Sequence, residues 1–483
     1  MRQGCNLSPK LFNILINNIP KLFDWSCDPV YLGEVTLNCL MYADDLVLLS
    51  TSEAGLQNCL NKLHDYTLKN HLKINMKKTK IIAFHRNGYM PPKLFLIGNQ
   101  IVEKTKSYKY LGTTITNTGN FKLNEVNLKK KGLRASYLIS NISSHAKPST
   151  SIKIFEKVVE PILLYNCEVS LAYFPKTWSY EKFVKNMWDL GSEVNKVVLS
   201  FVRQLLGVHK KTTNLATLSE TGKYPLSVKI FVRIIKYWFR IYTSQNILLQ
   251  ACLKTNMTLE QLNSPNWYKI VKYLQKATNT SFVPNQNNKE NDKIITQFKN
   301  KLQNYYKDWW LKTMKSEENK KLDFFFRHKK TFSFEQYLDF MPKNLRQYIT
   351  RLRTSSHAYP VETLRYCKPE IDRKDRKCTI CNNNEVGDEH HYLLKCTNTR
   401  LADIRTTFMA DIKTVVPQFN QFNNECIIQY CLLMKDDKVL VKTATYAKAI
   451  ALSYREEAEE KKVEAPVVTR YGRLTKKPVK LDL

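Results

Sequence analysis

Two places in this chain hold side chains suited to chemistry. In the first, Asp44 and Asp45 sit side by side between the apolar runs Val35–Met41 and Leu46–Leu49. The runs are strand-like in length and residue type, so a tight connection between them would put both carboxylates at a hairpin tip. Adjacent carboxylates repel, and burying either without a partner is costly. A hard divalent cation such as Mg²⁺ removes both problems, because it takes carboxylate oxygens together with substrate phosphates. A solvated turn would use the same residues, since Asp is a common turn residue. In the second place, the pattern Cys378-x2-Cys381-x9-His391-x4-Cys396 has the ligand types and loop lengths of a small zinc site. Thiolates and imidazole suit a closed tetrahedral Zn²⁺, which would be structural. Free thiols near a surface histidine are the plainer alternative.

The elements around the carboxylates read as one mixed α/β unit over residues 1–118. Ser8 is a good N-cap and Pro9 is well placed at the first helical position. Leu11, Phe12, Leu15, Ile19, Leu22 and Phe23 then make an apolar helical face to about residue 23. Leu56, Leu60 and Leu63 give helical spacing over about 53–70. Lys80–Phe84 reads as a strand, Leu94–Val102 as a hairpin broken at Gly98-Asn99, and Tyr108–Ile115 as a further strand. Helices on one face of a small antiparallel sheet make an α+β layer. From about 121 to 275 the patterns are mainly helical, clearest at Ile152–Leu164 and Val194–Leu206. Residues 283–292 are a polar break that reads as a linker, followed by a helical stretch over 293–366. Its Tyr305, Tyr306, Trp309 and Trp310 could stack bases, but their spacing favours a helix core. The tail from about 455 is charged, then basic, and reads as disordered.

Composition narrows the partners. The chain has 483 residues, and at ~150 residues per domain that allows roughly three domains. Lys and Arg total 76 against 43 acidic residues, a formal net charge of +33 spread along the chain. A polyanion is the natural partner, because each neutralised phosphate releases counterions. Charge alone does not separate RNA from DNA. The 12 cysteines occur without a secretory signal, so reduced thiols or metal ligation are expected rather than disulfides. The longest apolar stretch, near Ile162–Phe174, contains Asn166 and Glu168 and is too short and polar to span a bilayer. The expectation is a soluble cytoplasmic or nuclear protein with no membrane partner.

Several stretches together resemble one family. Tyr42-Ala43-Asp44-Asp45 is similar to the metal-binding motif of reverse transcriptases. Arg2-Gln3-Gly4-Cys5-Asn6-Leu7-Ser8-Pro9-Lys10-Leu11-Phe12-Asn13 resembles the preceding palm motif, and Asn75-Met76-Lys77-Lys78-Thr79-Lys80 the following one. Tyr108-Lys109-Tyr110-Leu111-Gly112 resembles the primer grip. The four occur in family order with family-like spacing, and the variety that fits best is the reverse transcriptase of non-LTR (LINE-type) retrotransposons. Pro161–Tyr165, Gly222–Leu226 and Arg351–His357 also resemble that family, so the likeness runs over most of the chain.

The resemblance implies an RNA-directed DNA polymerase that copies element RNA at a nicked DNA target, with RNA template, DNA primer, deoxynucleotides and Mg²⁺. Polymerase chemistry holds the attacking and leaving oxygens between two metals about 4 Å apart. On this reading Asp44 ligates metal and Asp45 supports it. Lys78 falls where a general acid for pyrophosphate departure is proposed. Gln3 and Gly4 lie beside incoming nucleotide and template, Tyr42 belongs to the metal motif, and Tyr110, Leu111 and Gly112 position the primer end. The family's other catalytic Asp lies on a strand N-terminal to the Arg2–Asn13 motif, and this sequence begins at that motif. The expectation is therefore an N-terminally truncated palm that binds Mg²⁺ weakly or not at all and is inactive as given. Family members carry a similar cysteine–histidine segment in which an aromatic and two apolar residues come after the His. That pattern favours His391 over His390 and supports Zn²⁺. The implied layout is a partial palm at 1–118, a helical thumb and connection at 119–282, the linker at 283–292 and a helical region at 293–366. A zinc-knuckle-like module at 367–400, a helical region at 401–454 and the basic tail at 455–483 complete it. A different class of function, a non-catalytic nucleic-acid-binding remnant with a zinc module, stays open beside the enzyme.

Overall fold

In a computed structural model the residues described are all but 1–6, 86, 143–145, 172–178, 189–190, 265, 317–321, 370, 434–435, 465–466, 469–473 and 476–483. They form helices with small two-stranded sheets, an α+β chain. It divides into two compact units that interleave along the sequence. The first contains 1–131, 162–189 and 227–302, and the second 132–161, 190–226 and 303–483.

The first unit opens with α1, Ser8–Ile16, with Pro9 in its first turn, and a 3-10 turn at Ile19–Leu22. Short antiparallel pairs come next: β1 (Val30–Leu32) with β2 (Val35–Leu37), and β3 (Cys39–Tyr42) with β4 (Asp45–Leu48). The run Val35–Met41 is thus shared between two ladders and divides at Asn38. Helix α2, Glu53–Lys69, is capped by Ser52, whose hydroxyl accepts from Gly55 N. A parallel pair joins β5 (Lys80–Ile81) to β8 (Glu103–Lys104), and β6 (Leu96–Ile97) and β7 (Gln100–Ile101) form the hairpin at Gly98-Asn99. The strand expected at Lys80–Phe84 is only two residues long. Tyr108–Ile115, read as one strand, folds back as β9 (Ser107–Tyr110) and β10 (Thr113–Thr116) around Leu111-Gly112. Two small cores hold this together. Ile16, Ile19, Phe23, Cys27 and Cys59 are buried as one cluster, Leu60, Ile81, Phe95, Ile97 and Val102 as another, and Leu48 of β4 packs against both. The buried side of α1 is thus Ile16, with Phe12 packed beside it, while Leu11 and Leu15 stay 49% and 40% exposed.

The second unit is built from amphipathic helices. The helix Glu193–Leu206 buries Val194, Val197, Val198, Phe201 and Val202, and Phe155 stacks on Phe201 with ring centroids 4.2 Å apart. Residues 288–292 of the expected linker form the first turn of a long helix, Asn288–Lys315. In the part of that helix belonging to this unit, Tyr306 and Trp310 are buried and pack against Phe332. Its aromatics therefore serve as core. The final helix, Asp437–Glu464, carries regular structure some ten residues past the point where the tail was expected to begin.

Buried ion pairs hold the stretches singled out in the sequence. Arg353 Nε donates to Glu220 Oε1 at 2.8 Å, and both side chains are nearly inaccessible to solvent. The Tyr337 hydroxyl donates to the same carboxylate oxygen at 2.5 Å. Lys223 Nζ reaches Glu160 at 2.6 Å and Glu156 at 2.8 Å. Arg353 and Lys223 are thus fixed charges of the core, where removing one partner leaves the other uncompensated.

Candidate functional site

In the first unit the tip of the β3–β4 hairpin is the two-residue turn Ala43-Asp44, with Tyr42 opposite Asp45 in the ladder. Ala43 has φ 52°, a left-handed conformation that costs an alanine of order 1 kcal/mol. Such strain is tolerated where the surrounding ladder over-determines the turn. Tyr42, Asp44 and Asp45 are all exposed. Met41 and Leu46, the next ladder pair inward, pack on the Ile16–Phe23 cluster and so anchor the tip. Burial, with the charge of Asp45 as the second cause, pushes the Tyr110 phenol above its ordinary range.

The Leu111-Gly112 turn after β9 has positive φ at both positions, 43° and 82°. This is the backbone twist that matches a two-residue hairpin. The Tyr165 hydroxyl donates to Leu111 O at 2.7 Å, and Asn166 Nδ2 donates to Thr113 Oγ1 at 3.0 Å. A Cβ added to Gly112 would stand 3.0 to 3.3 Å from the Tyr165 ring and hydroxyl. Two stretches picked out separately in the sequence, 108–112 and 161–165, are thus one structure. Sequence reading placed Tyr165 in a family-like stretch but gave it no part in this turn; its place in an otherwise apolar run was the available signal. Lys78 is exposed in a turn whose amide donates to Asn75 O at 3.0 Å, and Met76 of the same stretch packs on the Leu60–Val102 cluster. Gln3 and Gly4 lie outside the described residues.

In the second unit the side chains of Cys378, Cys381, His391 and Cys396 converge. One ligand atom from each lies within 4.8 Å of all the others. Tetrahedral zinc with bonds of ~2.0 to 2.3 Å sets ligand atoms about 3.3 to 3.8 Å apart, so the group is nearly of the size a metal requires. Cys381 Sγ is 3.4 Å from His391 Nε2, and His391 Nδ1 is 2.8 Å from Glu385 Oε2. A carboxylate on the far nitrogen fixes which nitrogen faces the metal. Asp388 Oδ1 accepts from His391 N at 3.0 Å and orients the backbone. Cys396 and His391 are buried, while Cys378 and Cys381 are half-buried. Hydrogen bonding from Cys396, outweighing burial and aided by His391, pulls the Cys378 thiol well below its ordinary range. Burial works to lower the His391 value, but bonds to Cys378 and Glu385 outweigh it and raise it to about 9. The two shifts run in the direction that favours a charged ring beside a thiolate, the charge pattern a dication would replace. The structure brings together His391 and not His390, whose Nε2 lies 3.3 Å from Glu425. Glu385 was missed in the sequence because the loop composition between Cys381 and His391 does not reveal which acid turns inward.

Comparison with known proteins fits this geometry. Residues 1–115 match the family described as reverse transcriptase (RNA-dependent DNA polymerase). Over 132 residues the chain is 28% identical to a Pol polyprotein from the type-2 retrotransposable element R2DM of Drosophila melanogaster, covering 26% of this chain. Over 128 residues it is 28% identical to the corresponding polyprotein of a type-1 element R2 in Nasonia vitripennis, covering 25% of this chain. The matched region spans 12% of the length of each of these relatives. The chain is related to the reverse transcriptases of non-LTR retrotransposons. No helix among the described residues is long and apolar enough to cross a membrane.

Proposed function

We propose that the first unit supplies the primer-positioning and metal-binding hairpins of an RNA-directed DNA polymerase, and that the second unit is a nucleic-acid-binding body closed by one structural Zn²⁺. The observation that supports the polymerase reading is that the Asp44–Asp45 hairpin tip and the β9–β10 turn both fall within the region that matches the family. Asp44, with Asp45, would hold Mg²⁺, Lys78 would act near the departing pyrophosphate, and the Tyr110–Gly112 turn, steadied by Tyr165, would seat the primer end. Template RNA, DNA primer and deoxynucleotides are the partners this implies. Mg²⁺ held there would supply charge neutralisation at the phosphates.

The non-catalytic reading differs from this one in how many metal ligands the hairpin brings together. Among the described residues the only group of three or more metal-ligating side chains is the Cys378–Cys396 cluster, so no third carboxylate joins Asp44 and Asp45. Among the described residues, strands β3 and β4 pair only with each other, which leaves their ladder edges open there. Two exposed carboxylates on one hairpin make a weak cation site, and two-metal chemistry needs more. Primer extension on poly(rA)/oligo(dT) with Mg²⁺ or Mn²⁺ tests the point. No template-dependent extension is expected from the isolated chain. Extension that Asp44→Ala abolishes would show the hairpin to be sufficient and remove the non-catalytic reading.

A further inference from the structure

The stretch Arg351–His357 has no member in either site above, yet its residues are spent on distant elements of the second unit. Arg351 Nε donates to Gly207 O at 2.6 Å, at the end of the Glu193–Leu206 helix. The Ser356 hydroxyl accepts from His209 N and from the Thr212 hydroxyl, both at 2.8 Å. These bonds pin the loop Gly207–Thr212, which carries His209, Lys210 and Lys211, against the stretch. Beside it opens a cavity of about 520 Å³, walled by that loop, by Arg351–Thr363, by Tyr366 and by the last helix at Ala447–Arg455. Its floor is rigid and aromatic: Tyr359 is buried and meets the Tyr454 ring edge-on at 5.1 Å. Its rim is cationic. Lys211 Nζ stands 3.7 Å from the centroid of the Tyr366 ring, which is itself 44% exposed, and the exposed Arg455 lines the same cavity. The single carboxylate among the described wall residues, Glu362, is paired with Arg365 at 3.1 Å.

We propose that this cavity seats one unpaired nucleotide of a single-stranded nucleic acid, its base against Tyr366 and its flanking phosphates on Lys211 and Arg455. An aromatic face with cations beside it is what sequence-tolerant single-strand contacts use. The volume lies in the range that encloses a small ligand. A duplex keeps its bases inside and offers a hollow of this size only backbone, whereas an unpaired nucleotide offers a base face and a phosphate together. An acidic polypeptide would satisfy Lys211 and Arg455 but leave the aromatic wall unused. The inference rests on the chain's being nucleic-acid binding and does not depend on the polymerase chemistry of the other unit.

The test uses the full chain and a labelled oligo(U) of about twelve nucleotides, read by fluorescence anisotropy over a salt series. Tyr366→Ala is expected to weaken binding by about 5- to 160-fold, the range for loss of one stacked base, while Tyr366→Phe keeps it. Lys211→Ala combined with Arg455→Ala should weaken binding and flatten the slope of log affinity against log salt by about 1.4, two single-strand phosphates' worth. Lys254→Ala, an exposed lysine of the first unit, should change neither. The inference is overturned if wild type does not bind oligo(U), or if Tyr366→Ala and the double variant bind as wild type. It is also overturned if Lys254→Ala loses as much, if Tyr366→Ala weakens a duplex of equal length equally, or if poly-glutamate displaces the oligonucleotide as well as unlabelled oligo(U) does. A chain that binds at this cavity, extends primers and loses extension with Asp44→Ala supports both sites. One that binds here and extends nothing keeps this site while the polymerase reading narrows to a partial palm.

Discussion

The carboxylate hairpin and the cysteine–histidine cluster are the two candidate metal sites, and they are built in opposite ways. Asp44 and Asp45 are adjacent in sequence, exposed, and joined by no third ligand among the described residues. Cys378, Cys381, His391 and Cys396 come from a nineteen-residue stretch, converge to within 4.8 Å, and are oriented by Glu385 and Asp388. A metal at the hairpin would need oxygens from substrate or from another strand, which suits a site that assembles around its reactants. A metal at the cluster finds its whole coordination shell in the protein, which suits a site that holds a fold. The difference teaches that motif strength and site completeness are separate properties. The hairpin carries the stronger family signal and the poorer site.

The largest effect should come from emptying the cluster. Structural zinc contributes on the order of 10 kcal/mol in small zinc modules. Chelation of the purified chain is expected to open residues of about 370–400 to protease while the cleavage pattern of residues 1–118 stays unchanged. Equal opening of both regions would mean that the cluster staples more than its own module.

A smaller effect separates the units by pH. Burial, with the Arg353 charge second, lowers the His328 imidazole from its ordinary 6.5 to about 4, against a supporting bond from Phe324 O. The fold holds the ring neutral, so its contribution is complete above about 6.5 and is lost as pH falls towards 4. The span corresponds to at most about 3 kcal/mol. Thermal unfolding of the second unit should therefore decline over that window less steeply in His328→Gln than in wild type, with the curves converging in acid. Parallel slopes would show that the ring is protonated in the folded state.

The smallest effect belongs to the first unit. Gly112→Ala forces an L side chain to φ 82° and against the Tyr165 ring. It should cost about 1–2 kcal/mol. Hydrogen exchange should quicken across β9 and β10 with no change in zinc content. Unchanged protection would mean that the turn tolerates a Cβ and that Tyr165 does not seat it.

The sequence made local features legible and hid those that need distant partners. The β3–β4 hairpin was readable because apolar runs flank a polar tip. The β9–β10 hairpin was not, because Leu111 occupies a left-handed position that Leu rarely takes and so gave no turn signal. Helices at Glu53–Lys69 and Glu193–Leu206 track their apolar periodicity closely. On α1 the periodicity was right but the buried side was not, since Leu11 and Leu15 remain exposed. His391 is distinguished from His390 by the run Tyr392-Leu393-Leu394 directly after it, and its geometry agrees. Tyr165 on Leu111, Arg353 on Glu220 and Ser356 on the His209 loop join residues 54 to 147 positions apart. No local pattern encodes such pairings, and the interleaving of the two units arises from them.

Metal analysis of the full chain tests the contrast most directly. After exhaustive dialysis one zinc per chain is expected, retained in Asp44→Ala with Asp45→Ala and lost in Cys378→Ser with Cys396→Ser. Mn²⁺, standing in for Mg²⁺ at the hairpin, is expected to dialyse away. Zinc near zero, zinc that survives the double cysteine variant, or tightly held Mn²⁺ that Asp44→Ala releases would contradict the assignment of a complete site to the second unit and a partial one to the first.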